Sequence, residues 1–233
     1  MVFRRNNLRK IKKQLRDILV SEKFLEEVTH VGDYSPTKII NALFSFYCDM
    51  EPLVKWRAIS ATGVVARLLE KEDPAKAREI IRRLVWMLSE ESGNIAWGAP
   101  EAMAEMMVYS DKLVPDFASI LVSYIYEDGN FLEFEPLQAG ALWGISRLAE
   151  VKPDIMTAHE AGPHLMQHLS SASSTNRAYA VWAMGLLKYK PAIEKLRELQ
   201  NDVDEIMLYE NFKLFRITIT ALAERSLFKV LEH

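Results

Sequence analysis

Two glutamates four residues apart, Glu101 and Glu105, and two histidines at the same spacing, His164 and His168, are the pairs whose chemistry merits the first look. On a helix, side chains four apart share a face, so Glu101 and Glu105 form the kind of carboxylate pair that moves protons or meets an arginine. His164 and His168 could share a metal ion, with His159 and Glu160 close by. No third ligand falls at a fixed spacing, so no metal and no cofactor is assigned. No nucleophile, base and orienting group converge by any spacing, so no catalytic residue is assigned either. The glycines are scattered through the chain and no phosphate-cradling loop is present. Cys48 is the only cysteine, which rules out an intrachain disulfide and a thiolate zinc cluster and makes a reducing cytoplasm the expected compartment.

Tryptophan supplies the stronger pattern. Four of the five tryptophans fall at two equivalent positions of a sequence that repeats about every forty residues. The segments are VKWRAISATGVV from Val54, IAWGAPEAMAEM from Ile95, LQAGALWGISRL from Leu137 and NRAYAVWAMGLL from Asn176. Stacked without gaps, they align Ala58, Ala99, Ala141 and Ala180 in one column. Ala61, Ala102, Gly144 and Ala183 fill a second, and Gly63, Ala104, Ser146 and Gly185 a third. A weaker fifth copy, LFRITITALAER from Leu214, brings Thr218, Ala221 and Ala223 into register.

Helices must carry these columns. Periodicity near 3.6 dominates, and no stretch alternates β-branched and polar residues between turn signals, so strands are not expected. Ser35-Pro36 and Asp73-Pro74 each supply a capping side chain followed by proline at the first helical position. Before each small-residue segment lies a stripe of larger apolar side chains. Ile39, Ile40, Leu43 and Phe46 form the first; Ile80, Ile81, Leu84, Val85 and Leu88 the second; Val114, Phe117, Ile120, Leu121 and Tyr124 the third. Leu165 and Leu169 mark a shorter one, and Ile193, Leu196 and Leu199 the last. Each unit therefore reads as an outer helix with large apolar residues and an inner helix with small ones, which lets neighbouring units approach closely. The expected fold is all-α, an α-α superhelix of about five helical hairpins.

The pattern resembles HEAT repeats, including the HEAT-like repeats of bilin lyases, in the inner-helix run Asn176-Arg177-Ala178-Tyr179-Ala180-Val181-Trp182-Ala183-Met184-Gly185. The resemblance covers roughly residues 35 to 228 and implies architecture rather than function. Pro100 departs from it and should kink its helix or reset the start. The stretch Trp97-Gly98-Ala99-Pro100-Glu101-Ala102-Met103 also looks like an uncharacterised bacterial HEAT-repeat family. Deoxyhypusine hydroxylases, HEAT-type enzymes, carry several His-Glu pairs for a di-iron centre; here His159-Glu160 is the single such pair, so that activity is not implied.

At about 100° per residue, Trp182 lies roughly 160° from Ala180 and Met184, which should face the outer helix. The ring is then directed to the concave side. Trp56, Trp97 and Trp143 follow by equivalence. Arg57, Glu101, Glu105, Arg147, Tyr179, Arg216 and Glu224 are the polar neighbours on that face. Two readings stand: an aromatic-lined groove that binds a partner, or rings that pack on one another and widen the core. The groove reading assigns Trp56, Arg57, Trp97, Glu101, Glu105, Trp143, Arg147, Tyr179, Trp182 and Arg216 to partner binding. It makes the protein a non-catalytic interaction module for a peptide or protein segment. The alternative is a HEAT-like enzyme or accessory lyase acting on a small aromatic ligand or modified base. Alkylbase DNA glycosylases are built from related repeats, but Glu101, Glu105 and Glu224 dilute the basic face such an enzyme needs.

Residues 1–34 read as a basic amphipathic cap. Arg4, Arg5, Arg9, Lys10, Lys12, Lys13 and Arg16 precede the first acid, Asp17, while Leu8, Ile11, Leu15, Ile18 and Leu19 line one face. Such a helix covers the end of a repeat array or lies on an anionic membrane as the anchor of a scaffold. The repeat array spans 35–230, and residues 231–233 look like a tag remnant. A net charge of −3 argues against a chain-wide nucleic-acid footprint. No apolar run of eighteen residues and no signal-peptide core are found.

Overall fold

Prolines placed at the first or second helical position open much of this fold. The computed structural model describes residues 2–89 and 96–232, with side chains from Leu8 onward. Arg4 and Arg5 of the basic cap therefore lie outside the described side chains, and Ile95 and His233 outside the described residues. The chain divides into two compact units, Met1–Asp111 and Lys112–His233.

The first unit contains α1 (Val2–Leu19), α2 (Phe24–Glu27), α3 (Pro36–Leu43), α4 (Pro52–Glu72), α5 (Pro74–Ser89) and α6 (Ala99–Tyr109). Ile11, Leu15 and Leu19 bury one face of α1, which packs on α2, α3 and α4; Leu8 stays exposed. Arg57 of α4 secures the end of α1, donating from Nη1 to the carbonyl oxygens of Leu19 (3.1 Å) and Ser21 (2.9 Å). The apolar stripes of α3 and α5 are buried at Ile39, Ile40, Leu43, Ile80, Ile81 and Leu84. Val85 and Leu88 are only half-buried. Pro100 resets the helix start: α6 begins at Ala99, behind Gly98 at φ +75°, a left-handed conformation that favours glycine.

The second unit contains α7 (Val114–Ser123), α8 (Glu135–Val151), α9 (Pro153–Ala158), α10 (Ala161–Leu165), α11 (Ser174–Leu186) and α12 (Ile193–Leu199). An antiparallel hairpin follows, β1 (Glu205–Glu210) and β2 (Lys213–Thr218), and the chain continues into α13 (Ile219–Leu231). The third small-residue column does what close stacking requires. A Cβ on Gly63 would lie 2.5 Å from the Glu105 carbonyl oxygen, and one on Gly185 would lie 2.6 Å from Ser226 Cα. At Ser146 the hydroxyl, in contact with both, lies 2.9 Å from the Leu142 carbonyl and 3.0 Å from that of Tyr179. Inner helices thus meet backbone to backbone, α4 on α6, α8 on α11 and α11 on α13.

The hairpin corrects the all-helical expectation. Leu214–Thr218, read as the start of a fifth inner helix, is strand, and the helix begins at Ile219, capped by the Thr218 hydroxyl accepting from Ala221 N–H. The physical reason is local. Asn211 (φ 51°) and Phe212 (φ 62°) form a two-residue turn with both φ positive, whose twist matches a right-handed hairpin. Ile206 and Leu208 alternate with exposed Glu205 and Met207, which buries one strand face.

Candidate functional site

In the first unit, Glu101 and Glu105 lie in a buried polar cluster with Tyr47, Ser60 and Thr62 rather than on an open face, while Arg57 is buried against the end of α1. Arg57, Glu101 and Glu105 are each about 95% buried or more. The Ser60 hydroxyl donates to Glu105 Oε1 at 3.1 Å, and the Tyr47 and Thr62 hydroxyls share a hydrogen bond of 2.7 Å. Glu101 sits in the first turn of α6, where its side chain accepts from its own backbone N–H. Its Oε2 has no hydrogen-bond partner among the described residues. Burial raises the Glu101 carboxyl above the ordinary range, against the pull of the Lys55 ammonium. The Tyr47 phenol is pushed well above its ordinary value by burial, with both glutamates adding to the effect. The arrangement can therefore hold a proton on Glu101. Trp56 lies at the edge of burial with the Lys55 ammonium 5.4 Å from its ring centre, while Trp97 is partly exposed.

In the second unit the expectation of accessible rings is corrected at Trp143 and Trp182, which are both 1% exposed. Trp143 Nε1 donates to the Tyr209 carbonyl at 3.0 Å, and the two rings lie 6.2 Å apart. Trp182 Nε1 is buried without a hydrogen-bond partner among the described residues. The hairpin inserted between α12 and α13 is what encloses the Trp143 side, and its presence was not part of the helical register. Tyr179 is likewise buried. Arg147 remains partly exposed, bonded to Glu150 at 2.8 Å, with its guanidinium 6.0 Å from the Phe212 ring centre. Arg216 is well exposed on β2, 3.7 Å from Glu205.

The histidine pair does not converge. His164 stacks on Tyr126 at 3.8 Å, and His168 is buried with Nε2 2.7 Å from the Ile125 carbonyl. Burial lowers the His168 imidazole below its ordinary value. Among the described residues no group of three or more His, Cys, Asp or Glu is arranged to hold a metal ion. Sequence reasoning missed Tyr47 and Thr62, which no spacing singles out, and Phe212, which the Asn211-Phe212 turn could have pointed to.

The repeat geometry finds direct counterparts. Residues 177–202 match the family described as PBS lyase HEAT-like repeat. The fold is a HEAT-like helical repeat. A designed armadillo repeat protein in complex with the peptide (KR)4 is similar over 97% of this chain and 92% of that one, at 17% identity and a TM-score of 0.58. An engineered protein matches over 97% and 93%, at 15% identity and TM-score 0.57. A computationally designed armadillo repeat protein for modular peptide recognition matches over 97% and 92%, at 18% identity and TM-score 0.54. No curated protein matches the chain.

Proposed function

We propose that this protein is a non-catalytic binding module for a peptide or protein segment. The observation that carries the reading is the fold itself. Its repeat architecture is shared along nearly the whole chain with a designed protein in complex with a peptide. Stacked helical repeats provide extended, rigid surfaces, and rigidity lowers the entropic cost of holding a flexible segment. Close inner-helix contacts at Gly63, Ser146 and Gly185 support that rigidity.

Of the residues assigned to binding from the sequence, Trp97, Arg147 and Arg216 keep solvent access. We assign the direct contacts to Arg147 and Arg216, which belong to the second unit. Arginine combines area with directed hydrogen bonding, a combination common at binding hot spots. Trp143, Tyr179 and Trp182 are buried in the same unit and support that surface from within. The arginines suit acidic side chains or carbonyls of a segment, in contrast to the basic (KR)4 peptide of the designed neighbour. A peptide-library selection tests this. Enrichment of a consensus whose affinity falls about tenfold or more in Arg147→Ala or Arg216→Ala supports the reading. Failure to enrich any sequence, or a consensus indifferent to both arginines, counts against it.

A further inference from the structure

Beyond the repeat surface, the first unit holds a cavity of about 270 Å³ lined by Lys10, Gln14, Gly32, Asp33, Tyr34 and Lys38. It lies between the basic face of α1 and the segment leading into α3. Its size suits a compact polar ligand, falling just below the range usual for drug-sized molecules.

The lining chemistry is specific in both directions. Lys10 and Lys38 are exposed ammonium groups that make no ion pair among the described residues, unlike Arg16 on the same helix, which pairs with Asp49. Two like charges on one small cavity repel, and an anion between them removes that repulsion. Arg9 and Lys13, also exposed on α1, add to the local positive potential. The Tyr34 hydroxyl supplies a further donor. The acceptors point to a second requirement. Gln14 Oε1 is buried and receives no hydrogen bond among the described residues, and a buried amide oxygen left so loses the interaction it had with water. The exposed Asp33 carboxylate lines the same space, with no partner among the described residues, and can accept a further hydrogen bond. A bare inorganic anion answers the lysines and leaves the Gln14 oxygen unmet. A ligand with a phosphate at one end and hydroxyls at the other answers all of them.

We infer that this cavity binds a phosphorylated polyol, the phosphate between Lys10 and Lys38 and the hydroxyls donating to Gln14 Oε1 and Asp33. The same chemistry occurs in a free sugar phosphate and in an inositol-phosphate lipid headgroup.

Isothermal titration of the full chain with glucose 6-phosphate, glucose and inorganic phosphate, beside co-sedimentation with phosphatidylcholine vesicles with and without phosphatidylinositol 4-phosphate, decides it. Glucose 6-phosphate should bind more tightly than phosphate, and glucose not detectably. Lys10→Ala and Lys38→Ala should each weaken binding about tenfold, the usual scale for one charge-assisted hydrogen bond. Asp33→Asn and Gln14→Leu should erase the preference over inorganic phosphate. Binding only to the phosphoinositide vesicles, with the same lysine dependence, identifies the headgroup as the source. All four substitutions are at exposed or half-buried positions, and unchanged melting temperatures confirm that they fold. The inference is overturned if no phosphate ester binds at millimolar concentration, or if binding survives both lysine variants. It is equally overturned if a DNA oligonucleotide is the one ligand that responds to them.

Discussion

The indole N–H of Trp143 donates to the carbonyl oxygen of Tyr209 across 3.0 Å, joining α8 to the outward edge of β1. In this hairpin the pairs Glu210–Lys213, Leu208–Phe215 and Ile206–Ile217 exchange hydrogen bonds, so the carbonyl of Tyr209 points away from β2. The bond from Ile219 N to Asp204 O continues the same alternation. Trp143 therefore bonds an edge carbonyl that the pairing with β2 does not reach. Replacing it by phenylalanine keeps most of the apolar volume and loses the donor, at an expected cost of about 1–3 kcal/mol. Alanine adds the cavity, for a total of about 3–5 kcal/mol. Urea denaturation of the two variants measures the difference, and equal losses would show that the hydrogen bond contributes nothing.

Gly63 meets the backbone of Glu105 so closely that even a methyl group has no room. Gly63→Ala should destabilise the first unit by about 1–3 kcal/mol through forced separation of α4 and α6. Thermal melts followed by circular dichroism would detect it. A neutral result would mean that the two helices part at no cost.

Burial raises the Glu101 carboxyl, so the folded state holds its proton to higher pH than the unfolded chain does. The sign follows from linkage: the group's contribution is fully present below the ordinary carboxylate range and is lost as pH rises through the folded value. Glu101→Gln cannot ionise. Its melting temperature relative to the parent should rise as pH increases above the ordinary carboxylate range, by a few degrees if the effect is on the order of 1 kcal/mol. A pH-independent difference would place the ionised carboxylate in solvent.

Arg57 is buried beside Phe24, its guanidinium 5.0 Å from the ring centre, and holds the two carbonyls that end α1. Arg57→Leu should cost roughly 2–3 kcal/mol and speed amide exchange in α1. Lysine should rescue little, because its ammonium ends one bond short of the Nη1 that donates to both carbonyls and offers no planar group to stack on Phe24. Unchanged exchange in α1 would show that its apolar face alone secures it.

The period of small residues made the helical stacking legible, since only Gly, Ala or Ser fits where inner helices touch, as Gly63, Ser146 and Gly185 show. Ile11, Leu15 and Leu19 announced the buried face of α1 in the same way, by their spacing. The hairpin escaped because Thr218, Ala221 and Ala223 kept the repeat register across a boundary where strand becomes helix. The tryptophans were harder. Helical phase tells in which direction Trp143 and Trp182 leave their own helix, but not what arrives from elsewhere in the chain to cover them; Tyr209 lies 66 residues from Trp143. Glu101 and Glu105 share a face as their spacing requires, yet their burial depends on α4, which no local pattern reveals.

The central claim is that the repeat surface of the second unit binds a polypeptide segment through Arg147 and Arg216, and affinity measured on a library-selected peptide tests it most directly. Fluorescence anisotropy should show Arg216→Ala weakening that peptide about tenfold or more with an unchanged melting temperature, because the side chain is exposed and paired only at 3.7 Å with Glu205. Arg147→Ala should weaken it further in combination. Full affinity in the double variant, at intact stability, would contradict the account.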